Sequence, residues 1–198
     1  MTDSPTRAES ESVTPQAIAA AAPLLPAPPL PSFRDVFDSE SSYVWNTLQR
    51  LGVQTRDLED VTHDVMLAVH RRLADFDASR PLRPWIFGIA LRVAMRYRDL
   101  ARHRRELMGL EVEAVDETPG PEEQLVTAQA RGLVMEALDA LDMDRRAVLV
   151  MHDIDGHGIP EVAESLDIPL NTAYSRLRRA REQFKGAVKR IRLRRGVP

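Results

Sequence analysis

Asp57, Glu59, Asp60, His63 and Asp64 place five ionisable groups within eight residues. Asp60, His63 and Asp64 stand at i, i+3 and i+4, so a helix would hold them on one side. Such a side can offer a divalent-metal site or a negative docking face. No fourth ligand is evident, and neither metal nor cofactor is expected. His152, Asp153, Asp155 and His157 form a second acidic and histidine group. Its calcium-loop pattern is incomplete, and a helix C-terminus favours histidine on its own account. Phe76, Ser79, Arg80 and Arg83, with Arg92 and Arg96 beyond, combine a ring with cations. Single-stranded nucleic acid is held in that way, by stacking and by charge along the backbone. Farther on, Asn171, Thr172, Tyr174, Ser175, Arg176, Arg178 and Arg179 crowd one short stretch. Arginine can pair bidentately with guanine, and Ser, Thr and Asn can bond bases or phosphates.

The charge pattern supports two nucleic-acid contacts rather than one. Net charge is only −3 over 198 residues. Yet Arg80–Arg105 holds eight basic residues against one acidic, and Arg176–Arg195 holds ten against one. Between them, residues 107–123 carry six acids and no base. Lys185 and Lys189 are the only lysines among the 27 basic residues. Arginine suits planar partners such as phosphate and base edges.

These groups need helices to position them. Phe33, Val36, Phe37, Val44, Leu48 and Leu51 repeat at helical spacing up to Gly52, with a break expected near Ser39–Ser42. Leu58, Val61, Val65, Val69 and Leu73 predict a second helix. A third is expected to open at Pro84, where a missing amide is tolerated, and to bury Trp85, Ile86, Ile89, Ala90, Val93 and Tyr97. After the acidic stretch, Leu125 to Leu141 predict a fourth helix and Ala147 to Ile154 a fifth, started by Asp142. A short helix from Pro160, a turn at Asp167-Ile168-Pro169 and a basic helix capped by Asn171 make a helix-turn-helix. No segment alternates as a strand does. The expected fold is all-α, with two small helical domains on a flexible acidic linker: 33–106, linker 107–123, 124–193 and a tail 194–198.

Several classes fall away. The chain has no cysteine, which removes disulfide scaffolds, thiolate zinc sites and cysteine nucleophiles. None of its nine glycines builds a phosphate-cradling loop, so no enzyme motif is present. Residues 1–32 read as a disordered Pro/Ala tail. The apolar Ala17–Leu25 run lacks a basic flank and falls short of the ~20 residues a membrane span requires. No membrane insertion and a cytoplasmic location are expected.

Taken together, these motifs resemble a known family. Residues 157–181, from His157-Gly158-Ile159-Pro160 to Ser175-Arg176-Leu177-Arg178-Arg179-Ala180-Arg181, are similar to region 4 of the sigma-70 family. The extracytoplasmic-function branch is the nearest. Asp57-Leu58-Glu59-Asp60 resembles the start of a region 2 helix, and residues 76–98 resemble the loop and helix after it. The resemblance spans roughly residues 33–106 and 124–193. It implies a sigma factor that binds core RNA polymerase and directs promoter-specific initiation. Region 2 would dock on the clamp helices, read the minus-ten element and help open the duplex. Region 4 would dock on the flap and read the minus-thirty-five element.

Carried over by position, Asp57, Glu59, Asp60, His63 and Asp64 would bind polymerase. Phe76, Ser79, Arg80, Arg83, Arg92 and Arg96 would meet minus-ten DNA. Asn171, Thr172, Tyr174, Ser175, Arg176, Arg178 and Arg179 would meet minus-thirty-five DNA. The family usually has glutamine at the position of His63, asparagine at Arg92 and aspartate at Arg96; the last two departures add positive charge. Partners implied are core polymerase, promoter DNA and an anti-sigma factor. Two other readings stand beside this one: a helix-turn-helix regulator acting without polymerase, and a metal-dependent nuclease using the acidic helix.

Overall fold

The computed structural model of the chain describes residues 29–108 and 122–196. Of the tail expected over 1–32, residues 1–28 lie outside them, as do 109–121 of the expected linker. Among the described residues there is no strand, and no helix is long and apolar enough to cross a membrane.

Helix α1 (Phe33–Arg50) opens on Ser32, whose Oγ accepts from the Asp35 amide at 3.2 Å. It runs unbroken through Ser39–Ser42, where a break was expected. Val36, Glu40, Val44 and Leu48 are buried at i+4 intervals there, and Ser41 bonds back to the Phe37 carbonyl. Tertiary burial of that row outweighs the modest helix propensity of serine. Gly52, at φ 89°, ends the helix. The Val53 amide reaches the Leu48 carbonyl and the Gly52 amide the Gln49 carbonyl, both at 3.0 Å.

Helix α2 (Leu58–Arg72) buries Leu58, Val61, Val65, Met66 and Val69. Single 3-10 turns flank it, at Thr55–Asp57 and Leu73–Asp75. Helix α3 (Leu82–Met108) begins two residues before the expected start. Pro84 therefore sits inside the first turn, where amides have no intrahelical acceptor to lose. Ile86, Ile89, Ala90 and Ala94 form its buried stripe with Phe87, which the periodicity had not singled out. The three helices pack on one another pairwise.

Helix α4 (Glu122–Asp139) leads to α5 (Met143–Leu149), capped as expected by Asp142, whose Oδ1 accepts from the Arg145 amide at 2.9 Å. One π turn, Val150–Ile154, prolongs α5 before Gly156 at φ 80°. Helix α6 (Ile159–Ser165) and α7 (Leu170–Arg195) make the helix-turn-helix. Between them Asp167 adopts φ 52°, a conformation aspartate tolerates better than most residues. The Ile168 amide bonds the Ala163 carbonyl at 2.9 Å and the Asp167 amide the Glu164 carbonyl at 3.2 Å, which fixes the turn.

Two expectations about α7 are corrected. Pro169 is its N-cap, with its carbonyl taken by Thr172 and Ala173, so Asn171 lies inside the first turn and caps nothing. The helix also runs through Arg195 to Gly196 at φ 66°, so no tail begins at 194. Ala187 and Ile191 pack on Ala137 of α4 and hold this end down.

The two small helical domains pack against each other, α3 on α6. One continuous apolar core runs from Val36 through Phe87 and Met151 to Ala180. Helix α6 lies against α3 so closely that a Cβ on Gly88 would stand 2.9 Å from the Ser165 carbonyl oxygen.

Candidate nucleic-acid interface

Helix α2 presents Glu59, Asp60, His63 and Asp64 to solvent, because its core stripe takes the alternate positions. Asp57 stands apart from them. It ends the 3-10 turn, half-buried, and accepts from the Tyr97 hydroxyl of α3. The face also includes Leu67, an exposed apolar residue one turn beyond His63 and Asp64. Sequence periodicity had given no reason to count it.

Neither acidic and histidine group gathers a metal set; among the described residues no three such side chains converge. In the second group His152, Asp153 and Asp155 each have a protein partner. His152 Nδ1 meets the His157 carbonyl at 2.7 Å. Asp153 takes two bonds from Arg181, at 2.9 and 2.6 Å, which hold its carboxyl below the usual range. Asp155 is enclosed by Arg50 and Tyr43.

The loop before α3 is shaped by its own side chains. Asp77 accepts from the Ser79 amide and hydroxyl at 3.0 and 2.6 Å, and these bonds lower its carboxyl pKa. Ser79 and Arg80 are exposed, and Arg80 reaches Asp77 at 3.3 Å and Glu164 of α6 at 2.7 Å. Arg83 bonds Glu40 at 2.9 Å and lies over the Tyr43 ring. Phe76 is buried, with its ring 4.9 Å from Trp85. Packing that ring on Trp85 removes apolar surface from water. Arg92 and Arg96 are exposed one turn apart on α3.

On α7, Ala173, Leu177 and Ala180 face the core. That phase turns Asn171, Tyr174, Ser175, Arg178 and Arg179 outward, with Tyr174 55% exposed. Thr172 is half-buried. Arg176 lies on the flank and bonds Asp144 of α5 at 2.7 Å. Arg178 meets Glu182 at 3.2 Å. Arg181 shares the outer groove with Arg178 and Tyr174, a cation the residue-by-residue reading passed over. Its one clue was an arginine at i+3 from Arg178.

A helix-turn-helix with a basic, solvent-facing second helix can enter the major groove. An acidic helix face with one apolar residue can dock a basic partner. Comparison with known proteins agrees with both. Residues 36–106 match the family profile for sigma-70 region 2, and residues 131–184 match that for sigma-70 region 4. The chain is 34% identical to the RNA polymerase sigma factor CnrH of Cupriavidus metallidurans over 144 residues, 67% of this chain and 74% of that protein. It is 31% identical to the RNA polymerase sigma factor NccH of Alcaligenes xylosoxydans xylosoxydans, with the same shares covered. The ECF RNA polymerase sigma-E factor of Escherichia coli is 27% identical over 146 residues, 69% of this chain and 76% of that one. Among solved structures, the sigma factor RpoE in complex with the anti-sigma factor NepR from Bartonella quintana shares the fold. Its TM-score is 0.66 at 20% identity, covering 79% of this chain and 96% of that one. CnrH in complex with the cytosolic domain of CnrY gives a TM-score of 0.55 at 26% identity, covering 79% and 87%. With both regions matched in order, the chain belongs to the sigma-70 family of RNA polymerase sigma factors, in its extracytoplasmic-function branch.

Proposed function

We propose that this sigma factor divides its work between two faces of the described structure. The observation that carries the reading is the outward row Asn171, Tyr174, Ser175, Arg178 on α7, opposite its Ala173, Leu177, Ala180 core stripe. Those outward residues read the minus-thirty-five element in the major groove, with Arg179 and Arg181 on phosphate. Arg176 acts there as a flank contact once Asp144 releases it. Ser79, Arg80, Arg92 and Arg96 line the minus-ten surface. Arg83 serves mainly to hold Glu40, and Phe76 to support the loop from below. Glu59, Asp60, His63 and Asp64, joined by Leu67, form the polymerase face; Asp57 anchors the start of α2 through Tyr97. The protein acts in the cytoplasm, beside polymerase, and catalyses no reaction of its own. An anti-sigma factor is its regulator, by analogy with the complexes of CnrH and RpoE.

Run-off transcription with purified core polymerase over genomic promoter fragments tests this. Start sites that appear only when the chain is added are the expected result. Tight duplex binding without polymerase, and no new start sites, would return the reading to an ordinary helix-turn-helix regulator.

A further inference from the structure

We infer that Asp153 is a positioning residue for promoter reading: by clamping Arg181 it sets the register of α7 on the minus-thirty-five element. This rests on the division of faces proposed above. Arg181 stands about three turns into α7, where a recognition helix is leaving the bases for the backbone. It lines the outer groove with Asn171, Tyr174, Ser175 and Arg178. Its Nε and Nη2 both donate to Asp153, at 2.9 and 2.6 Å. A fork of two bonds fixes the plane of the guanidinium as well as its place. Nη1 takes no part in the clamp, and the Arg181 side chain is still 49% exposed. A phosphate oxygen can therefore be added without giving up Asp153.

The acid is the fixed half of the pair. Asp153 precedes the helix-turn-helix, in the π turn Val150–Ile154, the one such turn among the described residues. Turns of this kind recur at functional sites. Val150 and Met151 are buried at its start. At its close the Asp155 amide bonds the Val150 carbonyl at 2.9 Å and the His157 amide the Met151 carbonyl at 3.0 Å. A short side chain on so anchored a turn has little freedom, whereas a free arginine loses much of its own on meeting DNA. Holding it beforehand lowers that cost. Arg181 in return keeps the Asp153 carboxyl ionised, below the usual range. The pair of Arg176 with Asp144 differs: it rests on one bond, at 2.7 Å, to an acid 54% exposed. Arg176 can swing away from its acid, while Arg181 stays. Phosphate contacts place a protein on the duplex, and base contacts then specify. Arg181 lies one turn beyond Arg178, so a misplaced guanidinium shifts Arg178 and Tyr174 against the base edges.

Holoenzyme affinities for matched and mutated minus-thirty-five elements test this through their ratio. Neither a changed net charge nor a smaller folded fraction alters that ratio, because each acts on both sequences alike. Asp153→Asn should lower it about two- to tenfold. Arg181→Ala should lower it by a similar factor, and Asp153→Asn added to Arg181→Ala should change nothing further. Arg181→Lys keeps the charge and cannot be held by a fork, so its ratio should match that of Arg181→Ala. An unchanged ratio in Asp153→Asn, or the same loss from Asp153→Asn with and without Arg181, would overturn the positioning role. A wild-type ratio in Arg181→Lys would do so too, and decides the matter if Asp153→Asn fails to fold. Arg178→Ala is the control on the face itself. If it also leaves the ratio unchanged, the assignment of α7 to the minus-thirty-five element fails and this role falls with it. If Arg178→Ala alone lowers the ratio, the face stands and only the role of Asp153 is lost.

Discussion

The Arg50 guanidinium and the Asp155 carboxylate, 105 residues apart in sequence, meet at 2.8 Å and tie the end of α1 to the π turn after α5. Burial raises the Asp155 pKa above its usual value, and Arg50 offsets only part of that. The same enclosure, with the Asp155 charge beside it, pushes the Tyr43 phenol above its ordinary range.

The sign of the resulting pH dependence follows from linkage. Asp155 holds its proton more tightly folded than unfolded. Its contribution is fully present below the unfolded pKa of about 3.9 and is lost as pH rises through the folded value. Asp153 runs the other way, since Arg181 depresses its pKa: its contribution is present above about 3.9 and is lost as acid protonates the folded form. Thermal unfolding of wild type, Asp155→Asn and Asp153→Asn from pH 3 upward should give difference curves of opposite slope. Parallel curves would contradict both assignments.

Arg146, fully buried on α5, reaches across to the carbonyl of Arg50 at the end of α1. Arg146→Ala leaves the Arg50 carbonyl unpaired and a hole in the core, although Asp139 remains 57% exposed and can be solvated. A loss of about 2–4 kcal/mol in urea unfolding is expected. Arg146→Lys should recover little, because one ammonium cannot reproduce a fork of two bonds.

Asp60 and Asp64 are exposed, so reversing both to lysine should leave helix content unchanged. Affinity for core polymerase should fall about tenfold or more, read by competition against an unmodified sigma factor. Leu67→Ser should weaken docking without altering net charge. Unchanged affinity in both variants would remove α2 from the polymerase face.

Reading and gripping separate along α7. Arg178 points outward one turn beyond Tyr174, so Arg178→Ala should cost roughly 1–3 kcal/mol at the preferred minus-thirty-five sequence and flatten discrimination there. Arg190 lies more than three turns farther on. Arg190→Ala should weaken all promoters alike and reduce the salt slope by about one. Arg176→Ala breaks a bond to Asp144 as well as a DNA contact, so Asp144→Ala is its control. Holoenzyme binding to matched and mutated elements at several salt concentrations distinguishes these cases.

Local rules in the sequence determined the helices and the two basic blocks. The apolar periods of α2 and α7 name the stripes Leu58–Val61–Val65–Val69 and Ala173–Leu177–Ala180, and Asp142 caps α5 as its type demands. The order of two motifs about an acidic stretch was enough to indicate the family. Tertiary structure decided what depends on a partner from far along the chain. It drew Phe76 into the core against Trp85, and it paired Arg83 with Glu40 and Arg176 with Asp144. Periodicity marks which side of a helix is apolar. It does not indicate that the cation Arg146 will be wholly buried, because its acceptor, the Arg50 carbonyl, is a backbone group 96 residues away that no pattern in side chains records.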